Sequence, residues 1–259
     1  MGGRRHPHGL IHDGTRRSDI AILEDFGFDG FEGVLARPDE PAASPTPGVL
    51  VMPDAFGIGE FCVGQAGRLA DLGFIALAGD PYGGGQHAAD RDEIAAKFVS
   101  VIGDRAVLRS NVRTNMDALA GVDGVDRRRL GAIGYCLGGT AVLELARSGY
   151  DCRGVVSFHG LLPTTMPASR DTLVASILVC TGADDPHAPL TDVTDFQAEM
   201  TAADADCQVI VYTGTKHSFT NPDPSREGPD VAFHARNAAR SWDAMRAFLQ
   251  ERDVTPMST

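Results

Sequence analysis

The sequence has no excess of basic residues, no apolar run long enough to span a bilayer and no C-x-x-C pair. Each absence removes a class of protein. A formal net charge of −12 over 259 residues argues against nucleic acid and anionic membrane as partners, because both are bound through basic patches. The lack of a long apolar run excludes a membrane-spanning helix. Five cysteines, Cys62, Cys136, Cys152, Cys180 and Cys207, are odd in number and lack zinc-type spacing. They predict free thiols in a reducing, cytoplasmic setting and no metal site. No G-x-x-x-x-G-K-[ST] occurs, so no P-loop is expected. The first residues, MGGRRHPHGLIHDGTRR, carry charge without a following apolar core, which is not the pattern of a secretory signal. Residues 1–18 are expected to form a flexible arm ahead of one domain at 19–259.

What is present centres on Gly131–Leu145, GAIGYCLGGTAVLEL. The apolar run Leu130–Ile133 predicts a buried strand, and Thr140–Ala146 predicts an apolar helix. Between them Gly134-Tyr-Cys-Leu-Gly138 has the form G-x-S-x-G with cysteine for serine. A strand that turns straight into a helix crowds its tip, and glycines two residues either side leave no side chains to collide. Cys136 would then sit at a helix N-terminus, where the dipole and free N–H groups favour a thiolate and an oxyanion. A buried, inert cysteine is the plainer reading of the same residue. A dinucleotide site fails here, since Cys136 stands where the middle glycine of that fingerprint belongs.

Along the chain, strands are predicted at Ile20–Glu24, Phe31–Ala36, Val49–Met52, Phe74–Ala78, Gly154–Phe158, Ile177–Thr181 and Gln208–Thr213. Helices are predicted at Val63–Leu72, Asp92–Leu119, Val193–Ala203 and Val231–Glu251. The first two strands read as a hairpin, and a proline-rich loop follows at Arg37–Gly48. This alternation predicts an α/β fold, a mostly parallel sheet with helices on both faces. In such sheets the ligand site lies outside the carboxyl ends of the strands. Asp54, Cys136, His159, Asp184, Asp185 and His217 all fall at such ends.

Nucleophile, acid, then histidine is the chain order of the α/β-hydrolases, and Cys136, Asp185 and His217 fit it. From about residue 20 onward the chain resembles the dienelactone hydrolase family. The matching pieces are GYCLGG, GADDPHAP, KHSFTNP, MPDAFGIGE and GDPYGGG. The resemblance implies an α/β-hydrolase fold and a cofactor-independent hydrolase of carboxylic esters or lactones with a Cys136–His217–Asp185 triad. The family's acid stands four residues before a proline, which favours Asp185 over Asp184 and leaves the latter as the alternative. The oxyanion hole would be the backbone N–H groups of Leu137 and Ala55.

A loop glutamate that assists the cysteine in the family is matched here by Asp54, one methylene shorter. Asp54 is therefore either an auxiliary acid or a turn-forming aspartate. Two arginines that clamp a substrate carboxylate in the family are matched by Gly84 and Asn221, so the reaction class carries over and the substrate does not. An arginine from elsewhere, such as Arg105 or Arg109, would be needed to replace the clamp. Tyr82, Tyr135, His159 and Asn221 are candidate pocket residues. For Tyr82 a plain turn, and for Tyr135 and His159 a packed position near the site, are the alternatives. The partner is a small-molecule ester or lactone, on a monomer or homodimer. A ligand-binding or thiol-redox protein that keeps the fold without turnover is the alternative function.

Overall fold

The computed structural model describes residues 16–17, 21–40, 44–84 and 91–256. The expected arm lies outside them except for Arg16–Arg17, as do residues 41–43 of the proline-rich loop and Gly85. Among the described residues nine strands form one sheet: β1 (Arg16–Arg17), β2 (Ala21–Phe28), β3 (Phe31–Pro38), β4 (Thr46–Met52), β5 (Ile75–Ala78), β6 (Val125–Tyr135), β7 (Gly154–Phe158), β8 (Ser176–Gly182) and β9 (Cys207–Tyr212). Their order is β1-β2-β3-β5-β4-β6-β7-β8-β9. The first three strands pair antiparallel, β3 meets β5 antiparallel, and every later pairing is parallel. Arg16–Arg17 thus extend the sheet on β2 rather than belonging to a free arm.

The parallel strands are near-continuous apolar runs because both of their faces are covered. Alternation sorts their side chains. Leu50 and Met52 of β4 enter one core, with Leu108, Val112 and Met116 of α3 (Arg105–Gly121) and the apolar side of α4 (Leu137–Arg147). Val49 and Val51 enter the other, with Leu69 of α1 (Glu60–Asp71) and Met245, Phe248 and Leu249 of α6 (Ala235–Glu251). The remaining helices are α2 (Arg91–Gly103) and α5 (Leu190–Ala202).

Two expected helices are corrected. The stretch Asp92–Leu119 is not one helix: Gly103 ends α2, and the Asp104 carboxylate accepts from the Ala106 and Val107 amides to cap α3. The last helix starts at Ala235 rather than Val231. Val231 instead bridges to His217, whose N–H donates to Asp230 O at 3.1 Å and whose carbonyl accepts from Ala232 N–H at 3.2 Å.

A buried ion network joins the helices on the α4 side. Glu144 of α4 is fully buried and pairs with Arg109 at 2.7 Å and Arg147 at 3.0 Å. Arg147 in turn meets Glu199 of α5 at 2.7 Å.

Candidate active site

The turn from β6 into α4 places Cys136 at φ 52 and ψ −112. No side chain fits at the flanking glycines. A Cβ on Gly134 would lie 2.0 Å from Gly138 O, and one on Gly138 would lie 2.1 Å from Met52 O. Cys136 is left partly exposed at the N-terminus of α4. The Gly138 N–H donates to Pro53 O at 2.8 Å, which pins the turn to the loop after β4 and brings up Ala55. Among the described residues the Ala55 and Leu137 amides have no hydrogen-bond partner. Tyr82 O–H donates to Ala55 O at 2.6 Å.

His217 Nδ1 lies 2.8 Å from Asp185 Oδ2, with both side chains buried. The second oxygen of Asp185 accepts from the His187 amide at 2.9 Å. Asp184 points into solvent, and its N–H donates to Thr215 O at 3.0 Å. Burial works against an imidazolium at His217. Hydrogen bonds to Asp185 and the Cys136 thiol outweigh it and raise the His217 pKa to about 10. Burial pushes the other thiols up: Cys62 strongly, Cys152, Cys180 and Cys207 to about 12.

Asp54 takes the turn-forming role. Its Oδ1 accepts from the Phe56 amide at 2.9 Å, and its Oδ2 faces Arg226 Nη1 at 4.0 Å. No hydrogen bond joins it to Cys136 among the described residues. Burial raises its pKa, while the Phe56 amide and Arg226 pull it back. Arg226 lies over the Phe56 ring at 3.4 Å and lines a cleft of about 500 Å³ with Asp54 and Asn221. Arg105 and Arg109 are engaged elsewhere, with Pro163 O and with Glu144. Gly84 is exposed, at φ 80.

Tyr135 and His159 are buried, with 2% and 1% exposure, and pack around the turn rather than opening a binding surface. Tyr135 stacks on Phe158 at 4.8 Å, and His159 meets the His217 ring edge-on at 5.1 Å.

Two residues beside the site escaped the sequence reading. Arg226 falls in a polar loop with no periodicity to mark it. His187, whose ring lies 4.8 Å from that of His217, follows the acid by two residues, and only that proximity signals it. Among the described residues no group of three or more His, Cys, Asp or Glu side chains is arranged to hold a metal ion.

The dienelactone hydrolase family model matches residues 31–252. The chain belongs to the dienelactone hydrolase family. Membership places it among hydrolases of ester bonds, and the sheet agrees with that fold. A solved dienelactone hydrolase-like promiscuous phosphotriesterase from metagenomic libraries is 37% identical, with a TM-score of 0.82, over 89% of this chain and 97% of that one. A Bradyrhizobium protein named "Probable 2-oxo-3-(5-oxofuran-2-ylidene)propanoate lactonase" is 31% identical over 198 residues, 71% of this chain and 77% of that protein. An uncharacterized protein of Caenorhabditis elegans is 36% identical over 147 residues, 56% of this chain and 93% of that protein. No helix among the described residues is long and apolar enough to cross a membrane.

Proposed function

We propose that this dienelactone hydrolase family member cleaves a neutral carboxylic ester or lactone through a Cys136 thioester. The observation that carries the reading is the 2.8 Å contact of His217 with buried Asp185, on a histidine whose pKa Asp185 and the nearby Cys136 raise against the pull of burial. Asp185 accepts from Nδ1–H, so the other ring nitrogen serves the sulfur. His217 and Cys136 share one proton, which the raised His217 pKa keeps on the imidazole, and the sulfur attacks the acyl carbon as thiolate. The Ala55 and Leu137 amides receive the oxyanion. Collapse expels the alkoxide, which takes the proton from His217. His217 then deprotonates a water, the hydroxide attacks the thioester, and the thiolate leaves with the acid released. Asp54 holds the oxyanion loop through its bond to the Phe56 amide. Free thiols fit a reducing cytoplasm.

The test is a panel of esters, lactones and a phosphotriester, assayed with the wild type and Cys136→Ala. The phosphotriester is included because the 37% identical neighbour carries that activity in its name. We expect a product burst followed by steady turnover, abolished by Cys136→Ala. Brief iodoacetamide treatment labels Cys136 before the four raised-pKa thiols. Labelling without turnover on any substrate would favour a thiol-redox or binding role instead.

A further inference from the structure

The His159 ring bonds the nucleophile turn on one side and the His217 loop on the other. The Cys136 amide lies 3.1 Å from His159 Nδ1, and His159 Nε2 lies 2.8 Å from Thr220 Oγ1. We propose that His159 is a positioning residue that holds Cys136 and His217 in register through these two hydrogen bonds. The inference rests on the thioester reading above.

The tautomer follows from the partners. The Cys136 N–H can only donate, so Nδ1 accepts; the ring proton is therefore on Nε2 and points at the Thr220 hydroxyl. His159 must stay neutral to do this. Burial, with the charge of His217 next to it, holds its pKa well below the ordinary imidazole range. The titratable groups facing the ring are Cys136 and Tyr135 on the β6 side and His217 opposite.

The ring itself is firmly mounted. His159 N–H donates to Cys180 O on β8 at 2.8 Å, and the residue sits at φ 42, in the left-handed region. Simple space-filling does not call for an imidazole here. Phe219 and Tyr135 flank it, and a phenyl ring would fill the hole without desolvating two polar nitrogens. Thr220 follows His217 by three residues, so a fixed Thr220 hydroxyl fixes the reach of that imidazole. Small displacements of a reacting group cost rate rather than binding.

The Cys136 amide also donates to Phe158 O at 3.0 Å, so replacing His159 orphans no donor at the elbow. The experiment compares His159→Phe, His159→Asn and Thr220→Val in the full chain. It follows kcat and KM on a neutral p-nitrophenyl ester and the rate of Cys136 alkylation against pH. His159→Phe keeps a ring and loses both bonds; we expect kcat to fall at least about tenfold with KM within about twofold. His159→Asn, which keeps an acceptor and tolerates the left-handed backbone, should return kcat to within about threefold of wild type. Thr220→Val should slow kcat and shift the alkylation profile, and should add no further loss on top of His159→Phe.

Equal losses in the Phe and Asn variants, in step with falling melting temperature, would overturn the proposal. If His159→Phe does not fold, Thr220→Val decides: lower kcat at constant KM supports it, and unchanged kcat and alkylation overturn it. Turnover that survives Cys136→Ala would instead sink the thioester reading, and alkylation rates would still report on His159.

Discussion

Asp185 and Asp184 are neighbours of identical chemistry in opposite settings. Asp185 is buried against His217, and Asp184 faces water. Replacing Asp185 by Asn offers Nδ1 a donor where it needs an acceptor, which favours the wrong imidazole tautomer. Ester turnover should fall by roughly 10³–10⁴-fold, while Asp184→Asn stays within a few fold. Steady-state kinetics on both variants check the ranking. The pair also sets a pH dependence. His217 titrates near 10 when folded against an ordinary 6.5, so the folded state binds the proton more tightly. That stability is fully present below about pH 6.5 and is lost as pH rises through about 10. Urea midpoints at pH 6, 8 and 10 should fall in the wild type and change much less in Asp185→Asn. Cys136 stood out in the sequence because glycines keep fixed offsets from it, and Asp185 and His217 because each follows a strand in the chain order of the family that the sequence resembles. The His159–Thr220 bond did not, because it joins side chains 61 positions apart.

At the level of elements, α4 is held from behind by charge as well as by apolar packing. Glu144 lies between Arg109 and Arg147 with no exposure. Breaking a buried pair by deleting one partner leaves the others uncompensated in low dielectric. Glu144→Ala should therefore lower unfolding stability by roughly 3–5 kcal/mol. Denaturant titration measures it, and an unchanged midpoint would show that water already compensates the arginines. The parallel strands were legible because burial on both faces writes them as apolar runs. The α2–α3 break was not, since helical periodicity runs across Asp104 and only its side-chain cap marks the boundary. The late start of α6 was hidden for a different reason. Residues before it have helix-compatible chemistry but are drawn into the backbone bridge to His217.

On the scale of the whole molecule, the net charge of −12 repels anionic substrates at long range. Near the cleft Arg226 is already flanked by Asp54 at 4.0 Å and Asp223 at 3.6 Å. A substrate carboxylate would have to compete with both. We expect a lactone methyl ester to exceed its free acid in kcat/KM by at least about tenfold, since one lost contact to a charged group is worth roughly 2–5 kcal/mol. Matched assays at low and high salt test this, and faster free acid at both salts would identify Arg226 as an effective anchor. The bridge between His217 and Val231 has a further consequence, for the order in which the molecule matures. His217 is held by backbone that runs directly into the C-terminal helix, whereas Cys136 lies near the middle of the chain. Such distant contacts form late in folding. A growing or partly folded chain therefore carries a thiol without its imidazole. On the proposed triad we expect the alkylation rate of Cys136 to rise only once the His217 segment and the C-terminal helix have docked, and timed alkylation during refolding measures this.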